Sequence, residues 1–218
     1  MFKKFLTSKI TRGRLDNFIS KYRDSDKLTL DLGSRNSPYR EYFKNIIGLD
    51  ISVGKNVDVV GDAHNLPFEE DKFDIILCIE ALEHFHNPIV AISEMRRVLK
   101  NNGLLILSTR FVFPIHDAPG DYYRYTKYGL KNLFKDWEIV ELNEEVSTKN
   151  TIAVLLQRIA FQCNFRGGSF TKILIFLIAK FIYFSPSLIK EEFGDYAKSV
   201  KDKNIMTSGY YLICKNSK

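Results

Sequence analysis

Cysteine is scarce in this chain and falls into no recognisable pattern. Only Cys78, Cys163 and Cys214 occur in 218 residues. An odd, scattered set without a C-x-x-C pair excludes a disulfide framework and a cysteine-built zinc site, and it fits a reducing, cytoplasmic compartment. Long apolar runs are missing too. The longest, residues 173–184, is interrupted by Lys180 and falls short of the roughly 20 residues that span a bilayer. The first ten residues lack the apolar core and small-residue cleavage site of a secretory signal. No internal repeat or low-complexity segment appears. Acidic excess is also absent: 32 Lys and Arg stand against 26 Asp and Glu, a net charge of +6.

What remains is a globular composition, 45% hydrophobic and 27% charged, in a chain long enough for one sizeable core. The basic excess is uneven, with eight bases and three acids within residues 1–27. That leader interleaves Phe2, Phe5, Leu6 and Ile10 with its charges. It reads as a partly helical, solvated leader, as an arm for an anionic membrane surface, or as one for nucleic acid.

Strand-like and helix-like segments then alternate, which predicts an α/β sheet that is mostly parallel. Residues 28–32 read as the first strand, 45–50 as the second, 57–60 as the third and 73–79 as a central strand buried on both faces. A helix follows, capped by Asn87 with Pro88 in its first turn. Ile89, Ile92, Met95 and Leu99 mark its predicted core face, and Asn101-Asn102-Gly103 its predicted stop. Residues 104–109 make strand five. Thr126 caps another helix, residues 137–142 make strand six and residues 209–214 the last strand. The more than sixty residues between these last two strands hold two apolar helical patterns. They are too many for a structureless loop and predict a helical insertion over about residues 144–206.

In such a sheet, ligands bind beyond the carboxyl ends of the strands where strand order reverses. The informative residues fall there. Gly33 follows strand one and lets the backbone turn and approach a ligand. Asp50 ends strand two, where a carboxylate can accept both hydroxyl hydrogens of a ribose. Asp62 and Ala63 follow strand three, an acceptor for an adenine amino group beside a small residue. Glu80, Glu83 and His84 follow strand four.

Asp31-Leu32-Gly33, Asp50, Gly61-Asp62-Ala63, Leu66-Pro67-Phe68, Phe73-Asp74, Leu82-Glu83-His84 and the 97–104 segment occur in the order and spacing of class I methyltransferases. The set resembles the branch called methyltransferase type 11, over roughly residues 28–110. The resemblance implies a Rossmann-like, seven-stranded, mostly parallel sheet with an antiparallel last strand, spanning residues 28–218. It implies S-adenosylmethionine as cofactor and S-adenosylhomocysteine as product. Asp31, Gly33 and Ser34 would hold the methionine part, Asp50 and Ile51 the ribose end, and Asp62 and Ala63 the adenine. Cys78 would act through its backbone, with Glu80 and His84 near the cofactor. Where the family carries further glycines in the first loop, this chain has Arg35 and Ser37. That departure weighs more against dinucleotide binding, whose G-x-G-x-x-G brings backbone to a pyrophosphate.

The loop after strand five gathers His116, Asp121, Tyr122, Tyr123, Arg124 and Tyr125, a concentration expected of a functional loop. Its pattern also resembles type 11 enzymes of bacterial polysaccharide and glycolipid synthesis, which implies a sugar or glycolipid acceptor at the inner membrane face. His116 is the candidate base for a hydroxyl acceptor. Asp121 would orient it or bind sugar hydroxyls, and Arg124 would hold an acceptor anion, unless Asp121 and Arg124 only tie the loop together. His84 and His86 could pair at a metal with Glu83, but they precede the helix and no further ligand follows at recognisable spacing, so no metal is expected. No N-P-P-Y-type motif follows strand four, so nucleic acid is not an expected partner. Methylation of a quinone, lipid or amine, and a binding module without turnover, stay open.

Overall fold

The computed structural model describes residues 7–24 and 26–218. The leader residues Phe2, Phe5 and Leu6, invoked above for membrane contact, lie outside them. The chain forms two compact units. The larger consists of Phe18–Arg110, Ile115–Asn143 and Tyr210–Lys218. The smaller consists of Phe111–Pro114, Glu144–Gly209 and Met1–Asn17, the last described from residue 7.

The larger unit is built on a seven-stranded sheet of order β3-β2-β1-β4-β5-β9-β6. Its strands are β1 (Thr29–Leu32), β2 (Ile46–Asp50), β3 (Val59–Val60), β4 (Phe73–Ile79), β5 (Leu99–Arg110), β6 (Glu138–Glu144) and β9 (Gly209–Lys215). The strands from β3 to β5 run parallel. Asn102 and Asn216 close the other half of the sheet. Asn102 N–H donates to Asn216 C=O at 2.8 Å, and Asn216 N–H donates to Gly103 C=O at 2.9 Å. That reciprocal exchange sets β9 antiparallel to β5. The sheet is therefore the mixed Rossmann-like one that the methyltransferase resemblance implies.

Apolar sequence explains the centre. Leu30, Ile76 and Leu77 are fully buried, as a strand covered on both faces requires. Helix α2 (Pro88–Val98) starts where Asn87 Oδ1 accepts the Val90 N–H, with Pro88 in its first turn. Its core face is Ala91, Ile92, Met95 and Val98; Ile89, expected inside, is 70% exposed. The helix also stops earlier than expected. Leu99 is already extended and opens β5, and left-handed Asn102 (φ 61°) sits where the β4–β5 register shifts. The local stop signal is thus spent on an irregularity within the strand. Helix α3 (Lys127–Leu133) is capped by Thr126, whose hydroxyl accepts the Gly129 N–H.

Helix α1 (Arg12–Ser20) lies within the basic leader. Its last turn belongs to the larger unit, where Phe18 stacks on Tyr211 at 4.7 Å between centroids. The smaller unit holds the helices α4 (Thr148–Gln162) and α5 (Gly168–Phe184) and a short antiparallel pair, β7 (Glu192–Phe193) and β8 (Lys201–Asp202). Its core includes Ile10, Val146, Ala153 and Val154. None of the described helices is long and apolar enough to cross a membrane.

Candidate functional site

The order of strands reverses between β1 and β4, so their carboxyl ends mark the expected ligand position. Gly33 turns the chain there at φ +78°, and an added Cβ would meet the Cβ of Ala81 at 3.1 Å. Both the conformation and the close approach require glycine. Asp31 precedes the turn with its side chain 2% exposed. Burial drives its pKa up to about 7, against the pull of the Ser37 hydroxyl and Arg40, and Asp50 adds repulsion. Asp31 Oδ1 accepts no hydrogen bond from the described residues. A buried acceptor left open in this way calls for a donor from a ligand. The ammonium of a methionine group fits that need in charge and donor count.

Asp50 stands ready at the end of β2. Its Oδ2 accepts the Arg35 N–H at 3.3 Å and its Oδ1 the Ser52 N–H at 2.9 Å. The backbone thus aims the carboxylate, and spare acceptor capacity remains for a ribose diol. Ile51 is 73% exposed, an apolar face offered at the ligand edge. Arg35, which replaces the usual glycine, packs its side chain on Gly54. Ser34 is fully buried and faces Gly48; its N–H donates to the Leu49 carbonyl and its carbonyl accepts the Ser37 N–H.

After β3, Asp62 Oδ1 accepts both the His64 N–H at 2.9 Å and the His64 Nδ1–H at 2.5 Å. These bonds hold its pKa below the usual range. His64 Nε2 in turn accepts the Asn87 N–H, and the His64 ring lies 3.9 Å from that of His86. Ala63 is 8% exposed beside it. Cys78 is wholly buried within β4 and burial pushes its thiol up, so its side chain stays neutral. Glu80 adopts φ +52° and pairs with the buried Arg110.

The acceptor loop and the end of β4 meet in the same unit. His116 N–H donates to Asp121 Oδ2 at 3.0 Å, and His116 Nδ1 lies 3.3 Å from that oxygen. Its Nε2 lies 3.9 Å from Glu83 Oε1. Desolvation holds the His116 pKa below its ordinary value, despite the attraction of Asp121. Glu83 is completely buried. Thr109 Oγ1 donates to its Oε2 at 2.8 Å, while Oε1 has no hydrogen-bond partner among the described residues. Burial raises the Glu83 pKa, and Arg110 opposes that rise. His84 Nδ1 lies 2.7 Å from the Gly120 carbonyl. A carbonyl only accepts, so His84 donates to it from Nδ1.

Arg124 grips Asp121 with two bonds of 2.6 Å, and this pairing lowers the Asp121 pKa to about 2. The Asp121 side chain is 1% exposed. It therefore positions His116 rather than reaching an acceptor, and Arg124 is committed to Asp121 and the Tyr123 carbonyl. Glu83 is the residue that sequence reasoning undervalued. Its sequence reading goes no further than its place after strand four, in the Leu82-Glu83-His84 set, and a metal grouping with His84 and His86. The fold turns His86 to His64 and brings His116 in instead, so that ligand atoms of Glu83, His84 and His116 lie within 4.8 Å of one another. The adjacency of Glu83 and His84 was the available signal; its third member comes from 32 residues beyond His84 and could not be read locally.

Residues 30–107 match a family model described as a methyltransferase domain. Demethylmenaquinone methyltransferase of Thermotoga maritima is 31% identical over 40% of this chain and 48% of its own length. The chain spans less than two thirds of the length of the curated relatives it matches first. A Bacillus halodurans structure described as a putative methyltransferase superposes with a TM-score of 0.59, at 17% identity, over 94% of this chain and all of its own. Burkholderia thailandensis 1,6-didemethyltoxoflavin-N1-methyltransferase, solved with S-adenosylhomocysteine, gives 0.57 at 11% identity, over 99% of this chain and 82% of its own. These last two likenesses speak for the fold. Residues 30–107 thus resemble a methyltransferase domain, and the sheet that carries them has the fold of these methyltransferase structures.

Proposed function

We propose that the protein is an S-adenosylmethionine-dependent methyltransferase that O-methylates a sugar or glycolipid intermediate of surface polysaccharide synthesis, working in the cytoplasm at the inner face of the membrane. The observation that carries this reading is the pairing of two unfinished sites on one sheet edge: the open buried acceptor of Asp31 beside Gly33, and His116 held between Asp121 and Glu83.

When bound, S-adenosylmethionine supplies a methyl group already activated by its sulfonium. Asp31 would take the ammonium of the methionine part, and Asp50, with Ile51 beside it, the ribose diol. Ala63 would flank the adenine, and Asp62 would accept from its amino group. The protein then has two tasks, to align the acceptor and to remove its proton. Asp121 accepts the His116 backbone N–H and lies 3.3 Å from Nδ1, where its charge favours a proton on Nδ1 and leaves Nε2 as the basic atom. Its lowered pKa keeps it neutral at pH 7, ready to accept the hydroxyl proton. Buried Glu83 stabilises the imidazolium that forms. Tyr122 and Tyr123 are exposed on the same loop and offer aromatic faces to the apolar face of a sugar ring.

A quinone acceptor is the second reading, favoured by similarity to the demethylmenaquinone methyltransferase. One experiment separates the possibilities. Nucleotide sugars, glycolipid intermediates and demethylated quinones are incubated with labelled S-adenosylmethionine, and products are read by mass. Label in a sugar hydroxyl is the expected result, and label only in quinones would replace the acceptor. S-adenosylhomocysteine that fails to bind in calorimetry would overturn the enzyme reading itself.

A further inference from the structure

Helix α5 divides its surface in an unusual way. One face is used within its own unit. Phe176 and Ala179 are buried there, Phe176 meets the Phe161 ring at 5.1 Å, and Lys180 turns inward to donate to the carbonyl and hydroxyl of Ser8. The opposite face carries Phe170, Ile173, Leu174, Leu177, Phe181 and Phe184, each between 42% and 78% exposed. Their spacing of three and four residues places them in one stripe along the whole helix. Leu188, 96% exposed, follows just beyond it. No charged side chain interrupts the stripe. Contiguous apolar surface of this kind marks an interaction site.

Charge names the occupant. Residues 146–190 contain no Asp or Glu but six bases, Lys149, Arg158, Arg166, Lys172, Lys180 and Lys190. Lys149 is tied to the carbonyls of Tyr183 and Ser185, and Arg158 lies over the Phe113 ring. Arg166 and Lys172 flank the start of α5, and exposed Lys190 follows its end. Bases at both ends of an apolar stripe, with no acid in the whole segment, match an anionic lipid surface in sign and layout. Geometry sets the mode. Seventeen residues make a helix of ~25 Å, and none of the described helices is long and apolar enough to span. The stripe therefore lies in the plane of the interface.

We infer that the exposed face of α5 docks onto an anionic bilayer, with its phenylalanines in the acyl boundary and Arg166, Lys172 and Lys190 at headgroup phosphates. This gives a physical device to the membrane-face location proposed above, and it does not depend on methyl transfer. The test is flotation of the full chain with phosphatidylcholine vesicles, with and without phosphatidylglycerol. The chain should float with the anionic vesicles and much less with the neutral ones. The double variant Phe170→Glu/Phe181→Glu should stay behind, with its melting temperature and its S-adenosylhomocysteine affinity unchanged. Arg166→Gln and Lys172→Gln should each lower partitioning roughly fivefold. Wild-type chain that stays behind with anionic vesicles would overturn the inference. So would a wild-type dimer in sedimentation that the phenylalanine variant dissolves, since a second copy would then be the occupant. Loss of cofactor binding in wild-type chain, with flotation intact, would fault the methyltransferase reading alone.

Discussion

The two halves of the ligand edge are built in opposite ways. In the cofactor half, the carboxylates after β2 and β3 are aimed by near neighbours. Asp50 is held by Ser52 two residues on, and Asp62 by His64 two residues on. Both keep contact with solvent, and each stands on its own short turn. In the acceptor half, Glu83, Thr109, His116, Asp121 and Arg124 are wired together in a buried network whose members come from well-separated parts of the chain. The contrast teaches where failure spreads. Independent turns lose one contact at a time. A buried network with few spare partners loses its geometry as a unit.

Substitutions can break that contrast or sharpen it. The largest effect is expected at His116. His116→Ala should reduce turnover by about 10²–10⁴-fold, while calorimetry with S-adenosylhomocysteine returns the wild-type affinity. If affinity falls with turnover, the halves are not separable. The same residue sets an acid limb in the pH profile. A base whose pKa is depressed by burial stays neutral until the pH drops below the ordinary histidine value. Turnover should therefore hold level above about pH 6.5 and fall only on the acid side.

Asp50 comes next. Removing a charge-assisted acceptor costs about 1.5–3 kcal/mol, so Asp50→Ala should weaken cofactor binding by roughly 10–100-fold with the melting temperature little changed. Unaltered affinity would remove Asp50 from the site.

The smallest effect is a slope. Asp31 has its pKa raised to about 7, so between about pH 4 and pH 7 the folded chain holds a proton that the unfolded chain has lost. Stability from this group is greatest in acid and is lost as pH rises through that window. Asp31→Asn should flatten this decline in melting temperature. A decline that persists would place its origin elsewhere.

Legibility in the sequence follows the range of each interaction. Asn87 and Thr126 were readable as caps because a cap closes within three residues. Gly33 was readable because only a turn follows so short a strand, and its close approach to Ala81 gives the residue its reason. The face of α2 was misread at one position: Ile89 fits the period, but the first turn has no neighbouring element over it and the side chain stays outside. Asn102 took its left-handed conformation, as a stop signal would, inside an irregular strand. The role of Arg124 depended on Asp121 being buried beside it, a fact about packing that spacing does not carry. The apolar pattern of α5 leaves its covered side open, because a helix that is apolar all round does not say which side is covered.

The sequence by itself determined the alternation of strands and helices, and with it the sheet and the place of Gly33, Asp50 and Asp62 along its ligand edge. Those features depend on periodicity and on turns of a few residues, which any chain with these residues repeats. Tertiary structure alone decided which groups lose water. It left Asp31 Oδ1 and Glu83 Oε1 as buried acceptors without a hydrogen bond among the described residues, brought His116 between two carboxylates, and left one face of α5 exposed. Burial is a property of the whole packed chain, and spacing along the sequence does not carry it.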